Sequence, residues 1–225
     1  SLIIVDEASM MGALLLNTLL RHVSTSATIV FIGDVDQLPS IEIGAVLREM
    51  ISASSLPVTR LTQTFRQANG SNIIVNAARI NNGEKRLTYA DDFKLIEKET
   101  SKEIQDAVVQ TYLSLQKTYS DDEISVLSAF RKNTETGTNS LNLRLRDVLR
   151  PDITDDTPYF ERKGLKFYTG DKVMFTKNTQ ELTNGDIGTI LSILKGQDGL
   201  YVTCNFDGDT IELQDEDLVY LDLAY

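Results

Sequence analysis

The order of hydrophobic and polar positions divides the first two thirds of the chain into alternating strands and helices. Short apolar runs predict buried strands over residues 2–5 and 28–32, and two further strands over residues 93–97 and 123–127. Longer amphipathic segments predict helices over residues 10–23, 44–51, 71–80 and 141–149. A further helix is predicted after Thr100, because Glu103 stands three residues on and completes a capping box. This alternation predicts an α/β fold with parallel sheets.

The pattern changes after Pro158. Short β-type runs follow over residues 172–176, 187–194, 201–206 and 210–213. Tight turns are predicted between them, at Asn184-Gly185, Asp198-Gly199 and Asp207-Gly208. A run of short strands with this spacing predicts a small antiparallel barrel, and the apolar residues 219–223 predict one more strand after it.

Composition limits the classes of protein to consider. The single cysteine, Cys204, excludes an internal disulfide framework and favours a reducing cytoplasm. No apolar run reaches the roughly 18 residues of a membrane span. The net charge of −11 argues against a general polyanion-binding surface. The charge is uneven, however, since residues 160–177 hold five bases and two acids, so any DNA track must be local.

Polar residues follow the first two predicted strands at the point where each strand ends. Asp6 and Glu7 follow the first, and Gln37 lies in the loop after the second. Open α/β sheets bind ligands at this edge. In nucleotide hydrolysis one carboxylate there helps to hold Mg²⁺, which suits Asp6, and a second activates water, which suits Glu7. A strand that simply ends in polar residues stays open as the alternative.

Two further side chains have the chemistry to contact a γ-phosphate. The neutral amide of Gln37 can hydrogen-bond a phosphate and respond to its loss without adding charge. The guanidinium of Arg66 has the planar, bidentate geometry that suits a transferring phosphoryl group. Taken alone, Arg66 is more simply explained as an ordinary surface arginine, and the Gln37 loop as a surface turn.

Together these stretches resemble motifs II, III and IV of superfamily 1 helicases. Asp6-Glu7-Ala8-Ser9, the loop from Gly33 to Ser40, and Thr64-Phe65-Arg66-Gln67 are most similar to the exodeoxyribonuclease V alpha subunit, or RecD-like, branch. Downstream, the stretch from Gly170 to Met174 and Asn184-Gly185-Asp186 resemble the SH3-like barrel of that branch. Ala129 and Arg146 depart from the proline and the glutamine that are usual there.

The resemblance implies partial RecA-like lobes with parallel sheets and a small inserted SH3-like β-barrel. Residues 1–70 would be the C-terminal part of the first lobe, and residues 71–158 the first part of the second lobe. Residues 159–217 would form the barrel, and residues 218–225 a return strand to the second lobe. Motifs V and VI would follow, so the chain is expected to be a fragment of a longer protein.

The resemblance also implies an ATP-dependent 5′ to 3′ DNA helicase of the cytoplasm, with ATP and Mg²⁺ as cofactors. Asp6 would bind Mg²⁺, Glu7 would be the catalytic base, Gln37 would sense the γ-phosphate, and Arg66 would contact it as an arginine finger. The implied partners are single-stranded DNA, duplex ends and other exodeoxyribonuclease V subunits. The implied processes are recombination and repair.

One part of an ATPase is missing from the sequence. A phosphate-binding loop needs Gly-Lys followed by Ser or Thr, and none of the 13 glycines precedes a lysine. We therefore expect the isolated chain to bind ATP poorly and not to hydrolyse it.

Three alternatives remain at this stage. One is a non-catalytic binding module, in which the barrel binds nucleic acid or a partner and the α/β part is scaffold. Arg131, Lys132, Lys172 and Lys177 are candidates to contact DNA phosphates, although a solvated surface position is the simpler explanation for these four. Another is a two-metal nuclease that uses Asp6, Glu7, Asp34 and Asp36, but this would leave Gln37 and Arg66 unexplained. The nearest rival among helicases is the conjugative relaxase type.

Overall fold

The computed structural model describes residues 1–53, 55–61, 70–132 and 134–225, apart from the side chain of Asp122. The chain is a mixed α/β protein with two compact units, Ser1–Leu95 and Ile96–Tyr225. Each unit has its own secondary structure and is described separately. Within the described residues, no helix is both long enough and apolar enough to cross a membrane.

The described part of the first unit contains a parallel pair of strands and three helices. The strands are β1 (Leu2–Val5) and β2 (Thr28–Phe31), which run parallel with Leu2 opposite Thr28 and Val5 opposite Phe31. A short 3₁₀ turn, Ala8–Met10, follows β1. The helices are α1 (Ala13–His22), α2 (Val46–Ser52) and α3 (Asn72–Asn81). The predicted parallel strands are confirmed, and each helix lies within a few residues of its predicted bounds.

The two faces of this strand pair differ in exposure. Side chains alternate between faces along a strand, and Leu2 and Ile4 on one face are 63% and 60% exposed. Ile3 and Val5 on the other face are half-buried. The expectation of strands buried on both faces is therefore wrong for the described residues, because no described layer covers the face of Leu2 and Ile4.

The segment after α3 is tied to that helix by side-chain hydrogen bonds. Asn76 is fully buried, donates to the carbonyl of Thr88 at 2.7 Å and accepts from its N–H at 2.9 Å. Asp92 accepts from the Asn72 side chain and the Ser71 hydroxyl at 2.8 and 2.9 Å, and these bonds lower the pKa of Asp92. The two contacts of Asn76 satisfy backbone groups of Thr88, which lies outside any strand or helix.

The second unit begins with two helices that pack together. They are α4 (Ser101–Leu115) and α5 (Thr138–Leu149), with a 3₁₀ turn, Asp121–Glu123, between them. Val109 and Tyr112 of α4 and Leu145 of α5 form the buried centre of their contact. The predicted capping box of α4 is confirmed, since Thr100 and Glu103 exchange hydrogen bonds.

Two predicted strands are absent from the described part of this region. Residues 94–98 and 124–128 are not assigned to any strand or helix, and only an isolated bridge joins Ala90 to Phe93. An apolar run becomes a strand only when a neighbouring backbone accepts and donates its hydrogen bonds. Neither segment has such a neighbour among the described residues, so the prediction of strands over 93–97 and 123–127 is wrong there.

The remainder of the second unit is β-structure. A hairpin of β3 (Tyr159–Arg162) and β4 (Leu165–Tyr168) precedes a five-stranded sheet. The strands of the sheet are β5 (Lys172–Phe175), β6 (Ile187–Lys195), β7 (Leu200–Phe206), β8 (Asp209–Gln214) and β9 (Leu221–Leu223). A four-residue helix, α6 (Asp215–Leu218), connects the last two.

The sheet is antiparallel, with strand order β8-β7-β6-β5-β9, and does not close into a barrel. Side chains donate hydrogen bonds to backbone carbonyls along the outer edge of β9, where a further strand would otherwise pair. Arg162 donates to the carbonyls of Leu221 and Leu218, and Asn142 donates to the carbonyl of Leu223 at 2.8 Å. The expected barrel is therefore an open sheet whose edge carbonyls are bound by side-chain donors, an arrangement that also blocks pairing with another chain.

The core of this sheet also holds the hairpin. Its fully buried members include Phe167, Val173, Phe175 and Val202, and the rings of Phe160 and Phe167 stack with centroids 5.0 Å apart. The hairpin was not predicted from the sequence. The signal was present, because two alternating runs flank Lys163-Gly164, and both residues of this two-residue turn have positive φ.

Candidate functional site

The loops that follow β1 and β2 leave the sheet at the same edge. The parallel pairing continues one step past the strands, where Ile32 donates to the carbonyl of Val5 and Ala8 donates to that of Ile32, both at 2.8 Å. Asp6 and Glu7 lie between Val5 and Ala8, the two residues that bond to Ile32, and Gln37 follows Ile32 in the next loop. Two of the polar stretches identified in the sequence therefore start from adjacent backbone.

Gly33 sets how closely these loops approach. A Cβ on Gly33 would lie 2.8 Å from a methyl of Leu47 and 3.0 and 3.1 Å from the backbone nitrogens of Ser9 and Ala8. Backbone atoms cannot move aside as the end of a side chain can, so only glycine allows this packing. Gly33 was recognised in the sequence as part of a motif, but its spacing role is visible only in the structure.

The two acids after β1 occupy a sharp turn. Asp6 accepts the N–H of Glu7 at 2.9 Å through Oδ1. Glu7 has φ 49 and ψ 39, a left-handed conformation that costs a non-glycine residue roughly 1–2 kcal/mol. Such strain persists only where the surrounding structure imposes it, and it is concentrated at functional sites. Both carboxylates are exposed, so a ligand at the sheet edge can reach them.

The loop after β2 is folded by Asp34. The carboxylate of Asp34 accepts the N–H of Asp36 at 2.9 Å, and its carbonyl accepts the N–H of Gln37 at 3.3 Å. Arg48 of α2 donates to the carbonyl of Val35 at 2.9 Å and fixes the loop from the other side. The Gln37 side chain is exposed at the end of this turn. Arg48 was not singled out in the sequence, since a lone arginine on a helix carries no pattern.

Arg66 lies outside the described residues, so its place in the site remains a prediction. Among the described residues, no three or more His, Cys, Asp or Glu side chains are grouped so that they could hold a metal ion. Asp34, one acid of the two-metal alternative, is occupied with folding its own loop.

The four candidate DNA contacts all lie in the second unit. Arg131 forms an ion pair with Asp222, whose other oxygen accepts from Arg162 at 3.1 Å. Lys177 donates to the hydroxyl of Tyr220 at 3.2 Å, and Lys172 donates to the carbonyl of Asp121 at 3.0 Å. Lys132 is exposed.

The structure thus brings Arg131 and Lys177 to the same short segment, residues 220–222, and places Lys172 against a different one.

Comparison with known proteins gives two family matches. Residues 1–101 match an AAA domain model, and residues 141–204 match the model of the SH3 domain of ATP-dependent RecD-like DNA helicases. The chain is 31% identical over 231 residues to the ATP-dependent RecD2 DNA helicase of Deinococcus radiodurans, an alignment that covers 100% of this chain and 30% of that protein.

The chain belongs to the RecD-like superfamily 1 helicases. It is also 26% identical over 217 residues to the RecBCD enzyme subunit RecD of Mycobacterium tuberculosis, covering 85% of this chain and 36% of that subunit. The chain therefore spans about a third of the length of these RecD-like relatives.

Solved Pif1 helicases resemble the chain more distantly. A structure of two Pif1 helicases at forked duplex DNA has a TM-score of 0.48 and 19% identity, covering 95% of this chain and 53% of that one. Bacteroides Pif1 bound to single-stranded DNA has a TM-score of 0.41 and 18% identity, over 95% and 52% of the two chains.

The structure explains one departure from the RecD-like pattern. Arg146, where a glutamine is usual, is buried and donates to the carbonyl of Lys166 at 2.7 Å and to Asp171 at 3.5 Å. Asp171 is fully buried. Arg146 is therefore a structural side chain that neutralises a buried acid in this RecD-like protein, and it does not extend the set of DNA-contact candidates.

Proposed function

We propose that this chain is part of an ATP-dependent 5′ to 3′ DNA helicase that couples ATP hydrolysis to movement along single-stranded DNA and to duplex unwinding. The observation that carries the proposal is the approach of Gly33 to the backbone of Ala8 and Ser9. It joins the Asp6-Glu7 turn and the Gln37 loop at one sheet edge, where α/β proteins bind nucleotides. Membership of the RecD-like family supports the same reaction.

Asp6 suits a Mg²⁺ ion that is held mainly by a nucleotide. In nucleotide sites Mg²⁺ keeps several waters and takes one or two carboxylates, with phosphate oxygens supplying the rest. Asp6 offers one exposed carboxylate, and its Oδ1 is oriented by the N–H of Glu7. The ion, when bound, neutralises the charge that develops on the phosphates.

Glu7 and Gln37 would have different roles toward the same transferring phosphoryl group. The strained turn at Glu7 projects its carboxylate from the sheet edge, so it can accept a proton from the attacking water. The Gln37 amide, at the end of the turn folded by Asp34, can hydrogen-bond the γ-phosphate.

Arg66, close to the predicted boundary between the two lobes at residue 70, would contact the same phosphate as an arginine finger. An arginine that reaches the nucleotide only when two lobes close makes hydrolysis depend on closure. Repeated opening and closing on a strand would drive translocation. For this scheme we retain the predicted division into residues 1–70, 71–158, 159–217 and 218–225, with RecA-like lobes and an SH3-like insertion.

The wider assignments belong to the same proposal. One relative carries the name of a RecBCD subunit, which supports exodeoxyribonuclease V subunits as partners. Recombination and repair, a cytoplasmic location and binding to single-stranded DNA and duplex ends follow from a helicase of this type.

Replacement of Glu7 by glutamine tests the proposal in a polypeptide of the relatives' length that contains this sequence. DNA-stimulated ATP hydrolysis should fall by about 100- to 10,000-fold, the usual contribution of a general base. Binding of a fluorescent ATP analogue should persist, because the amide keeps the shape of the side chain. Asp36→Asn, an exposed acid in the neighbouring loop, is the matched control and should leave the rate unchanged. Undiminished hydrolysis in Glu7→Gln would reject Glu7 as the base.

A further inference from the structure

The outer face of the β3–β4 hairpin carries a pair of tyrosines. In the antiparallel register Tyr159 lies opposite Tyr168, and Phe160 lies opposite Phe167. Neighbouring residues on a strand point to opposite faces, so the two phenylalanines enter the core and the two tyrosines lie on the other face. The tyrosine rings are 5.6 Å apart between centroids, and Tyr159 is 40% exposed.

Tyr168 of this pair contacts two buried charged residues. The guanidinium of Arg146 lies 5.3 Å from the centre of the Tyr168 ring, and the N–H of Tyr168 donates to Asp171 at 2.8 Å. Both Arg146 and Asp171 are buried. Because Tyr168 is fixed to buried charged groups, the ring of Tyr159 rests against a rigid neighbour and pays little conformational entropy on binding a ligand.

One lysine lies against the exposed ring, and a second lies at the tip of the same hairpin. The ammonium of Lys166 lies 4.2 Å from the centre of the Tyr159 ring, and Lys163 is exposed at the tip of the hairpin. Neither lysine takes part in an ion pair among the described residues. Glu161, opposite Lys166, is the one acid on this face of the hairpin. In a chain with a net charge of −11, this is a local cationic surface with an aromatic centre.

We propose that the outer face of the β3–β4 hairpin binds single-stranded nucleic acid, with an unpaired base stacked on Tyr159 and flanking phosphates bound by Lys166 and Lys163. Bases stack on aromatic rings regardless of sequence, and lysines beside the ring follow the backbone. A duplex keeps its bases paired and stacked, so it cannot supply this contact. The inference rests on the proposed function and adds to it a contact surface outside the nucleotide edge.

The chain contains no tryptophan, which gives a direct test. In Tyr159→Trp, the new indole is the single tryptophan, and its fluorescence should be quenched when oligothymidylate binds to the 225-residue chain. An abasic oligonucleotide of the same length has the phosphates without the bases, so it should bind without quenching. Equal quenching by the abasic strand would overturn base stacking.

Substitutions at two positions, Tyr159 and Lys166, separate stacking from charge. Tyr159→Ala should weaken oligothymidylate binding by about tenfold and leave the dependence on salt unchanged, whereas Tyr159→Phe should bind as the original does. Lys166→Gln should instead reduce the slope of log affinity against log salt by about 0.7, the value for one phosphate contact on a single strand. A thermal melt of each variant verifies that the hairpin remains folded.

The outcomes distinguish this surface from the proposed function. Binding of oligothymidylate with no tryptophan quenching and with unchanged affinity in Tyr159→Ala would overturn the stacking surface alone. Absence of any binding by the original chain would overturn it as well. The hydrolysis test with Glu7→Gln measures a different site by a different readout. Failure of the stacking surface would therefore not reject the proposed function, and failure of the hydrolysis test would not by itself reject the stacking surface.

Discussion

Asp171 is a charged residue in the interior of the second unit. Its side chain is fully buried, with Tyr225 donating to one oxygen and the N–H of Tyr168 to the other, both at 2.8 Å. Arg146 and Arg150 lie at 3.5 and 3.4 Å. The hydrogen bond from Arg150 to exposed Asp152 is the largest reason that the pKa of Arg150 is raised.

Asp171→Asn should destabilise the second unit strongly. The substitution leaves the buried guanidinium of Arg146 without its acid, and breaking a buried pair in this way costs about 3–5 kcal/mol. Urea denaturation followed by circular dichroism measures the loss. Asp152→Asn is the matched control, because Asp152 is exposed and should change stability little. If both substitutions lowered the free energy of unfolding equally, burial of Asp171 would not be the reason for its effect.

Cys204 should be unreactive in the folded chain. It is fully buried in β7, and burial raises the pKa of its thiol to about 12. The thiolate is the reactive form, so a thiol reagent at pH 8 should label Cys204 slowly in buffer and rapidly in denaturant. Fast labelling of the folded chain would show that this part of the sheet opens readily.

At the scale of elements, α4 has its start fixed by one capping box. The N–H of Glu103 donates to the Thr100 hydroxyl at 3.2 Å, and the Glu103 carboxylate accepts from the N–H of Thr100 at 3.0 Å. Thr100→Ala should lower the free energy of unfolding by about 1 kcal/mol, as for other helix caps. Thr118→Ala, an exposed threonine beyond the end of α4, should have little effect in the same melt.

The same capping box predicts a pH dependence. Hydrogen bonds from Thr100 hold the pKa of Glu103 below its usual 4.5. A carboxylate with a lowered folded pKa stabilises the fold above the unfolded value and loses this contribution as pH falls through the folded value. The stability difference between the original chain and Thr100→Ala should therefore be full above pH 4.5 and shrink in more acidic solution. A difference independent of pH would rule out the ionised Glu103.

Pairing partners decided which apolar runs became strands. The runs at residues 172–176, 187–194 and 201–206 form adjacent antiparallel strands joined by turns, so local turn chemistry supplied their partners. Residues 93–97 and 123–127 have comparable composition but no described neighbour in register. Strand propensity reflects how well a side chain packs on a pleated sheet. Whether a sheet is there to pack on depends on the tertiary structure.

At the scale of the whole molecule, the 225-residue chain should not hydrolyse ATP. It contains the two acids and the amide proposed for hydrolysis but no glycine followed by lysine, so it lacks the loop that cradles phosphates. A phosphate-release assay with single-stranded DNA should stay at the background rate. DNA-stimulated turnover by this chain would show that another element binds the phosphates.

Charge distribution is also a property of the whole molecule. Residues 205–222 contain seven acids and no base, whereas the hairpin surface around Tyr159 is basic. The net charge alone argues against a polyanion ligand, whereas the local excess of bases over residues 160–177 includes the hairpin surface proposed above to bind one.

The sequence by itself determined the local features: helix positions, the capping box of α4, the glycine turns and the identity of Asp6, Glu7 and Gln37 as candidates. These depend on residues close together in the chain, so periodicity and motif spacing reveal them. Only the tertiary structure decided that Gly33 brings two loops together and that Arg146 forms an ion pair with the buried Asp171. Each of these depends on which distant backbones lie within a few ångströms, and no local pattern encodes that distance.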